Sequence, residues 1–215
     1  MIQAIVCGYK CKETLVKCLD SIDIQTFKNV NLRLSIEDDS NRKYLLKNTV
    51  DTIQETKMND DDIIVFIDAD DFLCDEKALE IINNEYEENE TLLLTYGSYC
   101  NLSSNEKGKF CGPYIYGENV RQSQWRASHL KTMKYRLFKK IPNTCFLDEN
   151  GTCFKCCADR AIMTPAIELA GFNNIKWIEP IIYCYNDINP ISCWSTNRSL
   201  SVKTREYIIN MEPLI

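Results

Sequence analysis

The segment at residues 62–71, DIIVFIDADD, contains the most apolar strand that the sequence predicts, followed directly by an acidic turn. A short apolar run bounded by polar residues is typical of a buried strand. The predicted elements up to this point are, in order, strand 3–7, helix 12–24, strand 30–36, helix 42–57 and strand 62–67. This alternation predicts a parallel sheet with helical crossovers, and hence an α/β fold. Ligands of such sheets bind beyond the carboxyl ends of the strands.

Length and composition narrow the class of protein. The chain has 215 residues, of which 45% are hydrophobic and 26% charged, values typical of one globular domain. Its formal net charge of −6 and the lack of a basic stripe disfavour a nucleic-acid partner. No stretch approaches the ~20 apolar residues that a membrane span requires. We therefore expect a soluble protein without a membrane span.

The chain changes character near residue 98, which we interpret as the boundary between two halves of one domain. The remaining predicted elements are helix 75–87, strand 92–97, a loop or hairpin at 98–120, helix 155–170 ending at Gly171, strands 176–178 and 181–185, and helix 199–210. A basic stretch at 125–140, WRASHLKTMKYRLFKK, carries its charges at mixed helical offsets. For most of these basic residues a solvated face is the simplest interpretation.

Twelve cysteines accompany a single histidine, an unusual balance. The N-terminal MIQAIVCGYKC has no apolar region long enough for a secretory signal peptide, which disfavours a disulfide framework. Cys153, Cys156 and Cys157 approach the spacing of a zinc knuckle, but no second ligand pair follows them. We therefore predict reduced thiols in a cytoplasmic protein. Most are expected to be buried, as the apolar neighbours of Cys7, Cys18, Cys74 and Cys184 indicate.

The acidic turn after strand 62–67 is the strongest chemical signal. Asp68 and Asp70 stand two residues apart in a turn and can aim at one point. Oxygen ligands of this kind suit Mg²⁺ or Mn²⁺, which proteins usually bind together with substrate phosphates. The alternative is a solvated turn that caps the following helix, a role that also fits Asp71 and Asp75.

Three segments in order, IVCGYK at 5–10, IEDDS at 36–40 and FIDADD at 66–71, resemble the family 2 type of glycosyltransferase with the GT-A fold. The similarity covers most of the chain and is strongest over 1–75 and 146–172. It implies a single domain with a Rossmann-like, nucleotide-binding mixed sheet flanked by helices. Residues 1–97 would bind the nucleotide sugar and metal, and residues 98–215 the acceptor. The implied reaction is metal-dependent transfer of a hexose or deoxyhexose from a UDP-sugar to a glycan or glycoprotein, with Mn²⁺ or Mg²⁺ as cofactor.

The chain also resembles the glycosyltransferase domains with which chlorella viruses modify their major capsid protein. This second resemblance implies a viral capsid glycan as the acceptor and the host cytoplasm as the compartment.

The family resemblance assigns roles to the strand ends. Tyr9 would lie against the uracil ring, and Asp38 would accept from the uracil N–H, with Glu37 in the position of the family's first aspartate. Asp68 would face the ribose and the metal, and Asp70 would bind the ion that bridges the phosphates. The chain departs from the family in two places. The turn EDDS lacks the usual glycine, and the family's Arg-Asn before the third strand is missing, so that Lys57 is a candidate replacement.

The second half supplies the candidates for acceptor chemistry. Within FLDENGTCFKCCADRA (146–161), Asp159 matches the acidic pair from which the family takes its catalytic base, although Ala158 replaces the pair's glutamate. An equally simple interpretation is a helix-surface aspartate paired with an arginine. In a retaining enzyme, Asp159 would instead orient the acceptor or stabilise the transition state. Further possible donor or acceptor contacts are Trp125, Arg126, His129, Asn186 and Asn189.

Two other functions remain open at this stage. A nucleotidyltransferase shares the sheet and the acidic metal site, but it normally has a glycine-rich basic loop after the first strand, which CGYKCKE does not provide. A carbohydrate-binding domain that keeps the fold without activity is favoured by the missing glutamate at 158 and disfavoured by the intact Asp68 and Asp70.

Overall fold

Parallel pairing of the first three strands builds one half of the sheet. In the computed structural model, which describes residues 1–214, β1 (Ile2–Tyr9) lies between β2 (Val30–Glu37) and β3 (Ile63–Asp68). The helices α1 (Lys12–Asp23) and α2 (Leu45–Glu55) connect them, as the sequence predicts. The central strand β1 is buried along most of its length, which explains why its sequence is apolar on both faces.

The other strands complete a mixed seven-stranded sheet across residues 1–214, in the order β2-β1-β3-β6-β5-β7-β4. Strand β6 runs antiparallel to both of its neighbours, whereas β5 and β7 pair in parallel. These strands are β4 (Phe72–Leu73), β5 (Leu94–Asn101), β6 (Ser128–Lys134) and β7 (Ile175–Tyr185). The remaining helices are α3 (Ala78–Glu88), α4 (Tyr135–Phe138), α5 (Ala158–Ala170), α6 (Cys193–Thr196) and α7 (Arg198–Asn210), with 3₁₀ turns at Asn143–Phe146 and Phe172–Asn174.

Helices cover both faces of the sheet. Successive side chains of a strand point to opposite faces, so Ile64 and Phe66 of β3 join one apolar core and Val65 and Ile67 the other. The first core includes buried residues of α2 and α5, and the second includes those of α1 and α3. The predicted α/β class, with a mixed sheet flanked by helices, is therefore confirmed.

The basic stretch at 125–140 differs most from the prediction. It does not form a solvated helical face over its first half, because residues Ser128–Lys134 form β6 between β3 and β5. As a result, His129 and Lys131 are buried. Antiparallel pairing on both sides fixes this strand in the sheet, and its polar residues concealed the strand pattern in the sequence.

Smaller differences concern element ends. Strand β5 continues to Asn101, into the segment predicted as a loop, and β7 is one strand where two short ones are predicted. Helix α5 begins at Ala158, three residues later than predicted, and ends before Gly171, as predicted. Gly171 has a φ of 71°, a left-handed conformation that glycine adopts without steric cost.

The cysteine prediction is partly wrong. Cys156 and Cys193 form a disulfide that links the segment before α5 to α6, while the other ten cysteines, all within the described residues, are free. Most of the free thiols are buried, but Cys74 is exposed, contrary to the prediction. Within residues 1–214, no cysteine belongs to a cluster that could hold a metal ion.

The described helices include none that is both long enough and apolar enough to cross a membrane.

Candidate active site at the strand ends

The carboxyl ends of β1, β2 and β3 meet at one edge of the sheet. The parallel register pairs Tyr9 with Glu37 across β1 and β2, and Cys7 with Asp68 across β1 and β3. The acidic turn lies directly against the end of β1, because a Cβ atom at Gly8 would stand 2.6 Å from the Cβ of Ala69. Local register therefore brings the predicted strand-end residues together.

A cavity of about 260 Å³ opens at this edge, and we call it the strand-end cavity. Its walls include the predicted site residues Tyr9, Glu37, Asp68, Asp70, His129, Asp159 and Asn189. One wall comes from β1, β2 and the turn after β3. The opposite wall comes from α5, from the end of β7 and from the segment that follows β7.

Glu37 is engaged in holding the backbone. Its side chain is buried, and its two oxygens accept hydrogen bonds from the backbone N–H groups of Lys43 (3.0 Å) and Tyr44 (3.1 Å). The carboxylate thereby fixes the end of the loop between β2 and α2, because it accepts from two backbone donors there. Recognition of a base by Glu37 stays a prediction.

Tyr9 and Asp38 are placed differently from one another. Tyr9 is half-buried at the cavity, its hydroxyl donates to Asp39, and the Arg42 guanidinium lies 4.1 Å from its ring centroid. Asp38 is exposed and accepts from the backbone N–H of Ser40 at 2.8 Å. Hydrogen bonds from Ser40 lower the pKa of Asp38. Asp38 is not one of the described residues that line the strand-end cavity.

The three aspartates of the acidic turn have distinct surroundings. Asp71 is 1% exposed, and its carboxylate accepts from the Tyr183 hydroxyl and from the Asn186 backbone N–H, both at 2.8 Å. Asp70 is half-buried, lines the cavity and accepts from the Asn189 side-chain amide at 2.5 Å. Asp71 therefore ties the turn to the end of β7, whereas Asp70 faces the cavity.

Asp68 lies close to two other carboxylates, those of Asp70 and Asp159, and to the ammonium group of Lys131. Burial raises the pKa of Asp68 to about 7, against the opposing effect of Lys131, and the charges of Asp159 and Asp70 raise it further. A carboxylate surrounded in this way is stabilised in its ionised form by a nearby cation. One ligand atom each of Asp68, Asp71 and His129 lies within 4.8 Å of the others, close enough to hold a metal ion together.

His129 is held as a neutral imidazole. Its ring stacks on Tyr183, with centroids 4.6 Å apart, and its Nδ1 is buried without a hydrogen-bond partner in the described chain. Burial, with a contribution from Lys131, lowers the pKa of His129 to about 3. A neutral imidazole nitrogen without a partner is suited to metal ligation.

Asp159 is paired with a lysine that the sequence analysis missed. Lys131 is 3% exposed on β6, and its ammonium donates to the Asp159 carboxylate in the first turn of α5. Burial alone would raise the pKa of Asp159, but the charge and hydrogen bond of Lys131, together with the contributions of His129 and Arg160, leave that pKa below its usual value. The partner is thus Lys131, not the neighbouring arginine that the sequence suggested.

A second cavity of about 690 Å³ adjoins the first, and we call it the tryptophan cavity because Trp125 and Trp194 line it. His129, Asp159 and Tyr185 line both cavities. The Asp159 carboxylate therefore stands where a group bound in one cavity meets a group bound in the other.

Three predicted contacts line neither cavity among the described residues. Lys57 is exposed and, among the described residues, lines neither cavity. Its position therefore does not support the prediction that it replaces the arginine of the family's Arg-Asn. Arg126 lies beside the tryptophan cavity without lining it and pairs with Glu118 at 2.6 Å. Asn186 acts through its backbone N–H to Asp71, and its side-chain oxygen is buried without a partner in the described residues.

The residues that sequence reasoning missed come from distant segments. Tyr183 bridges the turn, because its hydroxyl also accepts from the backbone N–H of Asp68 at 3.1 Å. Lys131 was visible as part of the basic stretch, but only the strand shows it to be buried. The polar residues of β6 left no alternation in the sequence that would have marked the strand.

Comparison with solved structures identifies the fold. TarS from S. aureus matches with a TM-score of 0.63 at 13% identity over 98% of this chain and 40% of that one. The mannosyltransferase PcManGT from Pyrobaculum calidifontis, in complex with GDP-Man and Mn²⁺, matches with a TM-score of 0.60 at 11% identity over 99% and 65%. Glucosyl-3-phosphoglycerate synthase from Mycobacterium tuberculosis, in complex with Mn²⁺, UDP and glucosyl-3-phosphoglycerate, matches with a TM-score of 0.59 at 11% identity over 95% and 79%.

At these identities the likeness shows the fold alone, which is the GT-A fold of glycosyltransferases. The chain spans less than half the length of the TarS structure that it matches. No protein-family model matches the chain, and no curated protein sequence is significantly similar to it.

Proposed function

We propose that the protein is a metal-dependent glycosyltransferase that moves a hexose or deoxyhexose from a UDP-sugar to a glycan or glycoprotein. The observation that carries this proposal is the position of Asp159, at the junction of an acidic strand-end cavity and a second, aromatic cavity. A transferase needs such an arrangement, because donor and acceptor must meet at one reacting carbon.

The donor is proposed to occupy the strand-end cavity. Two solved structures of similar fold contain nucleotide ligands. The synthase is in complex with UDP and Mn²⁺, and the mannosyltransferase is in complex with GDP-Man and Mn²⁺. We propose that Tyr9 packs against the uracil and that Glu37 acts as a positioning residue, since its oxygens already hold two backbone amides. Uracil recognition by Asp38 requires the exposed loop after β2 to approach the cavity.

A divalent cation, Mn²⁺ or Mg²⁺, fits the donor set. Asp68 and Asp70 both line the cavity, and one ring nitrogen of His129 lies within 4.8 Å of ligand atoms of Asp68 and Asp71. We favour Asp70 over Asp71 as a ligand, because both oxygens of Asp71 already accept hydrogen bonds in an enclosed site. When bound, the cation would offset the negative charge that develops on the diphosphate leaving group.

The proposed role of Asp159 is general base in an inverting transfer. Its carboxylate would accept the proton of the acceptor hydroxyl while that oxygen bonds to the anomeric carbon and the carbon–oxygen bond to UDP breaks. Lys131 supports this role by keeping Asp159 ionised and by fixing its orientation. In a retaining transfer the same carboxylate would orient the acceptor.

The acceptor is proposed to lie in the tryptophan cavity, where Trp125 and Trp194 offer aromatic faces to sugar rings. The resemblance to the capsid-modifying domains of chlorella viruses supports a viral capsid glycan as acceptor, in the host cytoplasm. Transfer of label from UDP-sugar to purified capsid glycan tests this part, and transfer only to unrelated glycans contradicts it.

Thermal unfolding with UDP, with and without Mn²⁺, tests the donor proposal. A ligand at a hundredfold excess over its Kd stabilises a domain of this size by about 2.7 kcal/mol, or about 5–10 °C in Tm. We expect that shift with UDP and Mn²⁺ together and a much smaller one with UDP and a chelator. Equal Tm shifts with and without Mn²⁺ contradict a metal-dependent donor site. A larger Tm shift with GDP than with UDP contradicts a uridine nucleotide as the donor.

A further inference from the structure

The tryptophan cavity carries a positive charge that is unusual for this acidic protein. The chain has a net charge of −6, yet the charged side chains that line this cavity among the described residues are Arg121, Asp159, Arg160 and Arg205. Two of these four are neutralised by partners. Arg121 forms a bidentate pair with Glu168, at 2.6 and 2.7 Å, and Asp159 pairs with Lys131.

Arg160 and Arg205 are the two lining arginines that have no ion-pair partner among the described residues. Neither forms an ion pair with any carboxylate of residues 1–214. Burial lowers the pKa of Arg160, and the positive charge of Arg205 lowers it further, so the two guanidinium groups repel one another. Arginines that line one cavity and form no ion pair are suited to bind an anion.

The two arginines have a defined place beside an aromatic surface. Arg160 lies over the Trp125 ring, 4.6 Å from its centroid, and stands next to Asp159 in the first turn of α5. Arg205 comes from α7 across the cavity wall. Neither arginine lines the strand-end cavity in the described structure, so their charge is separate from the proposed diphosphate site.

From this arrangement we infer that the acceptor is anionic: a sugar that carries a phosphate or carboxylate group, held by Arg160 and Arg205 while its hydroxyl faces Asp159. The inference rests on the proposed glycosyltransferase function and names the substrate class of its acceptor site. Guanidinium groups bind either anion through charge-assisted hydrogen bonds, and Trp125 offers a face to the sugar ring.

Calorimetric titration of the whole protein, without any donor, tests the inference. The probes are methyl glucoside, methyl glucoside 6-phosphate, methyl glucuronide and inorganic phosphate. We expect at least one anionic sugar to bind about tenfold or more tightly than methyl glucoside, the effect of one charge-assisted hydrogen bond. The phosphate and glucuronide arms show which anion is preferred. Equal binding of neutral and anionic sugars overturns the inference, as does inorganic phosphate binding as tightly as either anionic sugar.

Substitutions locate the effect. Arg205→Gln, at an exposed position, and Arg160→Gln should each reduce the preference for the anionic sugar by about tenfold. Arg33→Gln, at an exposed arginine on β2, is the matched control and should leave the preference unchanged. A preference for the anionic sugar that survives both cavity substitutions overturns the inference. If Arg160→Gln does not fold, an unchanged preference in Arg205→Gln alone overturns it. Failure of UDP and Mn²⁺ to stabilise the wild-type protein would count against the donor proposal separately, since these titrations contain no donor.

Discussion

The two walls of the strand-end cavity are held in place by different means. On the first wall, backbone register positions the functional groups, since Tyr9 pairs with Glu37 and Cys7 with Asp68 along parallel strands. On the second wall, side chains from separate segments hold one another, as Asp159 does with Lys131.

This difference predicts that substitutions on the two walls have different consequences. Backbone register tolerates side-chain changes, so on the first wall a substitution should alter chemistry more than position. On the second wall one lost partner should displace a functional group, because α5 fixes only the backbone of Asp159 while Lys131 holds its side chain. The predictions below test that contrast, beginning with the largest expected effect.

Asp159→Asn should reduce sugar transfer by about 10²–10⁴-fold, because the amide cannot accept the acceptor's proton. Initial rates with a UDP-sugar and acceptor measure the effect. Asp20→Asn, at an exposed aspartate of α1, is the matched control and should retain full activity. Wild-type transfer rates in Asp159→Asn would show that this carboxylate is not the base.

Asp71→Ala should lower the free energy of unfolding by about 2–4 kcal/mol, since it leaves the Tyr183 hydroxyl and the Asn186 N–H unpaired in an enclosed site. Asp70→Ala, one residue away and half-buried, should cost about 1 kcal/mol. Urea unfolding of the two variants side by side provides the measurement. If the two losses are equal, the distinction between an anchoring and a cavity-facing aspartate is wrong.

Lys131→Met should shift the pH dependence of transfer. The positive charge of Lys131 lowers the pKa of Asp159, so its removal raises that pKa and leaves less ionised base at low pH. The acidic limb of the rate profile should therefore move to higher pH, while the rate at the alkaline plateau changes less. An unmoved acidic limb would mean that Lys131 does not tune the base.

Lys57→Ala should have the smallest effect. Lys57 is exposed and lies outside the lining of both cavities in the described residues, and such surface changes usually stay within about 0.5 kcal/mol. Donor affinity and transfer rate should match the wild type within about twofold. A tenfold loss of donor affinity would restore Lys57 as the replacement for the missing family cation.

The sequence predicts the first wall well, for a physical reason. Apolar runs that end in polar residues mark buried strands and their carboxyl ends, and adjacent parallel strands bring those ends together. The positions of Tyr9, Glu37, Asp68 and Asp70 at one cavity follow from this pattern. The engagement of Glu37 with backbone amides does not, because it depends on the conformation of a loop.

The second wall was predicted only in part. The family resemblance predicted Asp159 as a candidate base, but its partner Lys131 lies 28 residues earlier on a strand whose polar residues hid the β pattern. The contact between Tyr183 and Asp71 spans 112 residues, and only the assembled sheet brings the two together. Pairings over such separations leave no local periodicity in the sequence.

The most direct test of the account is hydrolysis of a UDP-sugar by the wild type, by Asp70→Ala and by the control Asp20→Asn, each with Mn²⁺ and with a chelator. The account predicts that the wild type and Asp20→Asn release UDP only with Mn²⁺, and that Asp70→Ala loses this activity while its fold is retained. Metal-dependent release by Asp70→Ala at the wild-type rate would contradict the account, because the donor's cation would then be bound elsewhere.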